Sequence, residues 1–506
     1  MVMRSTLTRR GFFGRLGSAS AVMTKLGAAF PAAELAIVPR PRWLRRTDAS
    51  YPALRPDTPV LLGKSLFAAE HRWSCLPLLR KLKGPTAPEP LLAPGGELPL
   101  PSPCILIGSP ADHESLRKLA ASLKPRLASR AASSLGEGYL LETGPFGVRI
   151  GADTAAGVFY AVQTLLQLPL RDTIPGCQIA DAPDVPFRGS HVRVFDPNIL
   201  PAVHRFIRET LPRYKANTLI VEVDYHFRYR SHPEINEATM LEESDARELA
   251  RLSREHNLRL IPLLNCFSHQ SWRDGIHGLL RAYPQFNETP CKTGVLFYAW
   301  CASDPRIAPI VCDLIDELLV AFESEAIHLG MDEVLEIGRC QFCRRKTPGE
   351  LFAKVVNEFH AHVTGKRGAR MLIWGDRLID GRKTPYNPMN GARNGTHTGL
   401  PMIPKDILLC DWHYHLHDAY PSVEMFRDAG LDFVACGWRN KDAIRAFQSY
   451  ARKHGGQRYK GYLTTNWSPF QPIAEYLTGA STEATPEVRN FAECIQLGLE
   501  SAWTGV

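Results

Sequence analysis

The chain has 506 residues, of which 44% are hydrophobic and 22% are charged, and this excludes both a single small domain and a largely disordered protein. Its formal net charge is +8, and half of that excess lies in residues 1–36, so the charge does not predict a nucleic-acid partner. No apolar run of about 18 residues occurs, and we therefore expect no membrane-spanning helix.

Residues 1–36 have the features of an export signal. The arginine pair Arg9-Arg10 precedes a weakly apolar stretch that is rich in small residues, Leu16–Phe30. This pattern resembles a twin-arginine signal, which would direct the protein to the periplasm or the cell exterior. An amphipathic first helix is the alternative, because Lys25 interrupts the apolar stretch and no clear cleavage site follows it.

Residues 37–184 are expected to form a small α+β domain. Alternating apolar residues predict strands over Gly138–Thr143 and Gly147–Gly151, and a helix is predicted over Ala155–Leu168. The segment Asp181–Pro186 is punctuated by prolines, which disfavour a continuing helix, and it is interpreted as a linker.

From residue 185 onward, short apolar runs alternate with longer amphipathic segments, a pattern that is typical of βα units. The runs predicted as strands are Phe187–Phe195, Thr218–Tyr225, Arg259–Cys266, Ala326–Asp332, Arg370–Gly375, Ile407–Trp412, Phe433–Gly437 and Tyr462–Asn466. Eight strands with helical crossovers over about 300 residues predict a (β/α)8 barrel. The expected fold is therefore α/β, a TIM barrel over residues 185–506 preceded by the small α+β domain. An open doubly wound sheet is the alternative, although no glycine-rich dinucleotide turn follows the first strand.

Aromatic and charged residues cluster where the predicted strands end, at the rim where such barrels place their active sites. They are His269, Asp332, Glu333, Trp374, Trp412, Tyr414, Trp438 and Trp467. Aromatic rings pack on the C–H faces of a pyranose, and charged groups bind its hydroxyls, so this set is typical of a carbohydrate site. Each tryptophan taken alone could instead be a core residue, and it is their coincidence at several strand ends that favours a sugar site.

The fourth predicted strand carries an acidic pair, Asp332-Glu333. Alternation along the strand points Met331 toward the surrounding helices and directs His328 and Asp332 into the barrel. Burial and the neighbouring charge of Asp332 would both raise the pKa of Glu333, which is then the expected general acid. A solvated Asp-Glu pair in a loop is the alternative.

Two parts of the sequence resemble a known family. One comprises Gly157–Leu168, Asp181-Ala182-Pro183 and Phe187-Arg188-Gly189, and the other is His328-Leu329-Gly330-Met331-Asp332-Glu333, which is similar to a His-x-Gly-Gly-Asp-Glu signature. They resemble glycoside hydrolase family 20, the β-N-acetylhexosaminidases. The resemblance implies an enzyme that removes terminal β-linked N-acetylhexosamine from an oligosaccharide or glycoconjugate, with retention and with the substrate's own acetamido oxygen as nucleophile.

By this resemblance, Glu333 would protonate the leaving oxygen and later activate water, while Asp332 would orient the acetamido group. Arg188 would hold sugar hydroxyls, and Tyr414 is a possible substitute for the family's tyrosine after the seventh strand. The resemblance and the strand-end positions together predict a set of substrate-binding residues. They are Arg188, His269, His328, Trp374, Trp412, Tyr414, Trp438 and Trp467.

Departures from the family pattern leave two other functions open. Met331 replaces the family's second glycine, and residues 224–230 replace an acidic loop that contains Gly-Trp. The chain could be a barrel glycosidase that uses two protein carboxylates on a sugar without an acetamido group, with Asp376 or Asp411 as the partner of Glu333. It could also be a barrel that binds glycans without hydrolysing them, although binding needs no proton donor.

Cys340 and Cys343 are the only closely spaced pair among twelve cysteines. Because no second pair stands at zinc-ligand spacing, we expect no metal site and interpret the pair as incidental or disulfide-forming. No cofactor is expected, and the sequence does not indicate an oligomeric state.

Overall fold

A computed structural model describes residues 35–506 with the exception of 67–68, 87–88, 128–135, 171 and 273–274. The arginine pair of the predicted export signal lies outside the described residues, so export stays a prediction. In the part of the chain that is described, no helix combines the length and the apolar character needed to cross a membrane.

A mixed seven-stranded sheet forms the amino-terminal part of the fold. In spatial order its strands are Trp43–Pro52, Thr173–Asp181, Tyr139–Gly144, Gly147–Gly151, Cys104–Gly108, Val60–Leu62 and Leu91–Leu92. The accompanying helices are Ala69–Lys83, Glu114–Leu123 and Ala155–Leu165. The hairpin between Tyr139–Gly144 and Gly147–Gly151 depends on Gly147, which has a φ of 100°. A Cβ at this position would lie 2.2 Å from the carbonyl oxygen of Cys104. The predicted α+β character of this region is confirmed.

Eight parallel strands close into a barrel. In chain order they are Phe187–Arg193, Thr218–Glu222, Arg259–Cys266, Ala326–Gly330, Arg370–Trp374, Leu408–Trp412, Asp432–Gly437 and Tyr459–Thr464. Each predicted strand overlaps one of them, and the eighth strand pairs with the first through Tyr462 and Arg188. The (β/α)8 barrel predicted from the sequence is therefore confirmed.

Helices surround the barrel, most of them between successive strands and the last two after the eighth strand. They are Leu200–Arg205, Leu211–Arg213, Glu243–Glu255, Gly278–Ala282, Ile307–Ala321, Pro348–His360, Ser422–Asp428, Lys441–His454, Phe470–Leu477 and Pro486–Thr504. The helix after the fourth strand begins at a capping box, in which Thr347 Oγ1 accepts from Glu350 N and the Glu350 carboxylate accepts from Thr347 N. Between the fifth and sixth strands the described connection contains only short 3₁₀ segments, Asp376–Leu378 and Thr396–Met402.

The barrel strands separate two hydrophobic cores. Side chains that point outward pack under the helices, and Met331 belongs to this outer core, as its position in the strand predicts. The interior is filled by Phe187, Ile220, Ile261, Leu263, Leu372, Trp374, Leu408, Cys410, Val434, Cys436 and Leu463. Trp412 and Trp467 pack on this interior core from the carboxyl-terminal end, so the barrel is closed by aromatic rings at the rim.

Arg188 lies at the opposite end of the barrel from that rim. It is the second residue of the first strand and is fully buried. Its guanidinium donates to Glu137 Oε2 at 2.7 Å and to the carbonyl oxygens of Lys215 and Val185, both at 2.9 Å. The prediction that Arg188 holds sugar hydroxyls is therefore wrong, because the side chain is at the wrong end of the strand and its donors are already used.

A second buried ion pair extends this contact to the last helix. Lys215 Nζ lies 2.7 Å from Asp181 Oδ2, and both side chains are fully buried. Trp503 Nε1 donates to the same carboxylate at 3.0 Å. We refer to Glu137, Arg188, Lys215, Asp181 and Trp503 as the junction cluster. Since an unpaired buried charge is strongly destabilising, this cluster fastens the sheet, the first two barrel strands and the final helix to one another.

We expect the Arg188→Met variant to lose about 3 kcal/mol of unfolding free energy, because Glu137 would keep a largely buried carboxylate without its partner. The Glu137→Gln/Arg188→Met double variant, which lacks both charges, should be more stable than Arg188→Met. Urea unfolding followed by tryptophan fluorescence measures both. If Arg188→Met instead keeps the parental stability and has a raised Michaelis constant for a glycoside, Arg188 is a substrate-binding residue.

Candidate active site

The backbone turns sharply where the fourth barrel strand ends. Gly330, Met331 and Glu333 have φ values of 62°, 67° and 50°, in a region that residues with side chains rarely adopt. A Cβ on Gly330 would lie 2.1 Å from Asn265 Oδ1, so only glycine fits at this position. Such unusual conformations concentrate at functional sites, and this turn carries the acidic pair Asp332-Glu333.

His269 joins the acidic pair from the loop after the third strand. Its Nε2 lies 3.2 Å from Asp332 Oδ2 and 3.3 Å from Glu333 Oε2, and all three side chains are largely buried. Burial disfavours a charge on His269, but the two carboxylates outweigh it and raise the pKa of the imidazole well above its usual range. The histidine is therefore a cation held between two acids, in the position predicted from the sequence.

The two carboxyl groups have opposite pKa shifts. Burial raises the pKa of Glu333, an effect that His269 opposes and that the charge of Asp332 reinforces. Burial would also raise the pKa of Asp332, but His269 outweighs it and the pKa is lowered. The shifts move Glu333 toward its protonated form and Asp332 toward its ionised form, as is needed where one group donates a proton and the other stabilises positive charge.

Asp376 holds the acidic pair in place. Its Oδ2 accepts from Glu333 N at 3.0 Å and from Arg377 Nε at 2.6 Å, and its Oδ1 accepts from Trp412 Nε1 at 3.2 Å. The side chain is 1% exposed, and the other predicted candidate for a second catalytic carboxylate, Asp411, is fully buried. Neither group reaches solvent, so neither is placed to attack a sugar.

Aromatic rings from three further strand ends lie beside the acids. Trp467 Nε1 donates to the Tyr414 hydroxyl at 2.7 Å, and the Tyr414 ring centroid is 5.1 Å from that of Trp412. The rings of Trp374 and Trp467 are 5.8 Å apart. Trp438 lies behind Tyr414, at 5.5 Å, and stacks on Phe491 of the last helix. The predicted aromatic residues are therefore brought together, with Trp438 as a support at the back.

His328 does not reach the surface of the site. It is fully buried, its ring centroid lies 4.4 Å from that of Trp374, and its Nδ1 accepts from Gly330 N at 3.0 Å. The prediction that His328 binds substrate is wrong, because the side chain does point into the barrel but lies one layer below Trp374, which covers it.

Arg193 is a rim arginine that the sequence analysis missed. It is the last residue of the first strand, its Nη2 donates to the carbonyl oxygen of Trp467 at 2.6 Å, and its guanidinium lies 5.7 Å from the Trp467 ring centroid. Because side chains alternate along a strand, Arg193 points to the same side as Phe187, which is the barrel interior. Position along the strand and side-chain direction together would have selected Arg193 over Arg188.

A buried polar layer lies beneath the acidic pair. His191 Nε2 is 2.8 Å from Glu222 Oε2, and Asn265 contributes its side-chain amide to Glu222 and its backbone N–H to Asp224. Burial raises the pKa of Glu222 to about 7 and that of Asp224 to about 8, and it lowers the pKa of His191 to about 3. Burial thus shifts all three groups toward their neutral forms and reduces the charge of this layer.

Two groups of side chains in the described chain could bring three or more ligands to a metal ion. One is His269 with Asp332 and Glu333, but a histidine whose pKa is raised by two acids holds a proton where a metal would need its lone pair. The other is Glu288 with three cysteines, outside the site. The acidic pair is therefore suited to proton transfer.

A (β/α)8 barrel with two acids of opposite pKa shift and a tryptophan wall at its carboxyl-terminal rim has the features of a glycoside hydrolase. Two family models match the chain, Glycosyl hydrolase family 20, domain 2, over residues 34–182, and Glycosyl hydrolase family 20, catalytic domain, over residues 220–436. The chain belongs to glycoside hydrolase family 20.

Similar proteins agree with this assignment. A beta-hexosaminidase of Porphyromonas gingivalis is 23% identical over 286 residues, which is 49% of this chain and 37% of the relative. A lacto-N-biosidase of Bifidobacterium bifidum is 22% identical over 277 residues, 51% of this chain and 24% of the relative. The chain thus spans well under half the length of both. The solved β-N-acetylhexosaminidase of Bacteroides fragilis has the same fold, with a TM-score of 0.64 and 14% identity over 92% of this chain and 90% of that one.

Proposed function

We propose that this protein hydrolyses terminal β-linked N-acetylhexosamine residues of an oligosaccharide or glycoconjugate. The observation that carries the proposal is the state of Asp332, an ionised carboxylate whose Oδ1 is buried and has no hydrogen-bond partner among the described residues. A buried acceptor without a donor is costly. The N–H of a 2-acetamido group is a donor of the required kind, and the similarity to the hexosaminidases of Porphyromonas gingivalis and Bacteroides fragilis supports the same substrate.

The proposed first step breaks the glycosidic bond. The acetamido oxygen attacks the anomeric carbon while Glu333 gives its proton to the leaving oxygen, so that the alcohol departs and a cyclic oxazolinium ion remains. Asp332 accepts the acetamido N–H and stabilises the positive charge that develops there. Tyr414, whose oxygen already accepts from Trp467, has its own hydrogen to donate to the acetamido oxygen.

The proposed second step regenerates the enzyme. The ionised Glu333 removes a proton from water, the water oxygen bonds to the anomeric carbon, and the bond to the acetamido oxygen breaks. Two displacements at one carbon give net retention of configuration. Glu333 ends protonated and the acetamido group is restored, so that no external oxidant, reductant or cofactor is consumed.

The buried carboxylates argue against the two other functions. A mechanism with a protein nucleophile needs a second acid at the pocket, and Asp376 is occupied by three donors while Asp411 is fully buried. A protein that only binds glycans gains nothing from a raised pKa at Glu333. Substrate-assisted hydrolysis uses both members of the acidic pair in the states that the site favours.

Glu333→Gln should lower kcat about 10²–10⁴-fold on an N-acetylhexosaminide with an unactivated leaving group, because the proton donor is lost. The loss should be much smaller with a dinitrophenyl leaving group, which departs without a proton. Asp332→Asn should slow both substrates, since it removes the charge that assists the acetamido oxygen. Initial rates of the purified variants measure this.

Asp418→Asn, a change at an exposed loop carboxylate, is the matched control and should keep the parental rate. Aryl glycosides with and without the 2-acetamido group complete the experiment. If glycosides with and without the 2-acetamido group are hydrolysed equally fast, substrate assistance is overturned in favour of a two-carboxylate mechanism. If Glu333→Gln and Asp332→Asn both keep the parental rate, the assignment of the site is overturned.

His269→Gln should move both limbs of the pH profile of kcat/KM to higher pH. His269 lowers the pKa of Asp332, which must be ionised, and also that of Glu333, which must be protonated. Removing the imidazolium therefore raises both pKa values, so activity appears at a higher pH and is lost at a higher pH. An unchanged profile, or limbs that move in opposite directions, would contradict this electrostatic role.

We further propose export by the twin-arginine route to the periplasm or cell exterior, and the support for this is the sequence of residues 1–36 alone. Fused to a reporter that folds before export, residues 1–36 should deliver it outside the cytoplasm. With the Arg9→Lys/Arg10→Lys variant the reporter should stay in the cytoplasm, whereas with Lys25→Gln it should still be exported. Delivery of the double-lysine variant would overturn the proposal.

A further inference from the structure

Three cysteines and a glutamate converge outside the active site. They are Glu288, Cys301, Cys340 and Cys343, whose potential ligand atoms all lie within 4.8 Å of one another. Cys301 Sγ is 3.4 Å from Cys340 Sγ and 3.5 Å from Cys343 Sγ. The sequence shows only the Cys340–Cys343 spacing, because Cys301 lies 39 residues before Cys340 and is brought to it by the fold.

The sulfur positions fit a shared central ion. In a tetrahedral zinc site with bonds of about 2.3 Å, sulfur atoms are about 3.8 Å apart. The two distances from Cys301 are nearly equal and close to that value, so Cys301 faces both other sulfurs at once. A disulfide would join only two of the three cysteines and leave the third as a thiol.

Glu288 is placed as a fourth ligand. Its Oε1 accepts from the backbone N–H groups of Arg339 and Cys340, at 2.6 and 3.3 Å. Its Oε2 is buried and has no hydrogen-bond partner in the described part of the chain, and the residue is 1% exposed. One oxygen thus orients the carboxylate, and the other is left for a ligand within the cysteine cluster.

The surroundings stabilise negative charge on the sulfurs. Ser303 N donates to Cys301 Sγ at 3.4 Å. The backbone N–H groups of Cys343 and Arg344 both donate to the carbonyl oxygen of Cys340, which closes a tight turn around the cysteine pair. Four basic residues flank this turn in sequence, Arg339, Arg344, Arg345 and Lys346. Three thiolates and a carboxylate around a divalent ion leave a net charge of −2, which these side chains can offset.

We propose that Glu288, Cys301, Cys340 and Cys343 bind one structural zinc ion. Four protein ligands leave no open position for a substrate, and thiolates with one carboxylate suit zinc better than magnesium or calcium. This proposal departs from the sequence-based expectation of no metal site, because local spacing shows only two of the four proposed ligands.

The ion would join two loops that form the active site. Glu288 and Cys301 belong to the connection between the third and fourth barrel strands, which also carries His269, whereas the cysteine pair follows Glu333. At the other end of these loops, Ser268 Oγ donates to the carbonyl oxygen of Glu333 at 3.0 Å. The zinc site would therefore fix the spacing of the loops that bring His269 against the acidic pair, without itself taking part in the reaction.

Metal analysis of the full chain tests the proposal. The protein is purified under reducing conditions without chelating resins, and elemental analysis should find about one zinc per chain. Cys301→Ser and Cys343→Ser should retain less than about a tenth of that content. Cys312→Ser, which removes a partly buried cysteine outside the cluster, is the matched control and should keep the full content.

Cobalt substitution keeps the test decisive if the cysteine variants do not fold. Parental protein stripped by a chelator and refilled with Co²⁺ should show a thiolate-to-cobalt charge-transfer band and the visible bands of tetrahedral cobalt. Glu288→Gln should shift the visible bands and keep the charge-transfer band. Three outcomes would each overturn the proposal. The chain could take up neither ion, or the cluster variants could hold as much zinc as the control. The intact mass could also be two hydrogens lighter, with a disulfide mapped among these cysteines.

Discussion

The active site depends on one shared cation, the imidazolium of His269 between Asp332 and Glu333. Its charge lowers the pKa of Asp332 and keeps that acid ionised, while burial and the charge of Asp332 raise the pKa of Glu333. The arrangement demands a backbone that turns through left-handed conformations at the end of the fourth strand and a glycine where the backbone meets Asn265. In the layer below, burial raises the pKa values of Glu222 and Asp224 and so reduces the negative charge beneath the acidic pair.

Hydrogen bonds connect side chains from several strand ends around the rim. Asp376 connects the backbone of Glu333 to the indole of Trp412, and Tyr414 is held in turn by the indole of Trp467. Residues from the fourth, fifth, sixth and eighth strand ends thus fix one another's orientation. Preorganisation of this kind lets the site meet a transition state without rearranging, which is how fixed dipoles contribute to catalysis.

Local patterns in the sequence predicted the barrel, the acidic pair and its aromatic surroundings, because each of these depends on strand period and strand end. The failures came from contacts that local patterns do not contain. Arg188 has sequence neighbours typical of the family but lies at the end of the barrel opposite the rim, and His328 points into the barrel but lies below the layer that lines the site. Glu288 and Cys301 meet the cysteine pair across about 40–50 residues of chain, and no spacing rule covers such a separation.

The junction cluster has a consequence for how such a protein can diversify. Lys215 of the barrel finds its counter-charge on Asp181 of the sheet, and the indole of Trp503 completes the same contact from the last helix. A barrel inherited without its sheet would leave Lys215 without its counter-charge. Recombination must therefore exchange both parts together, and new substrate ranges arise more readily through changes in the loops above the strands than through the shuffling of whole domains.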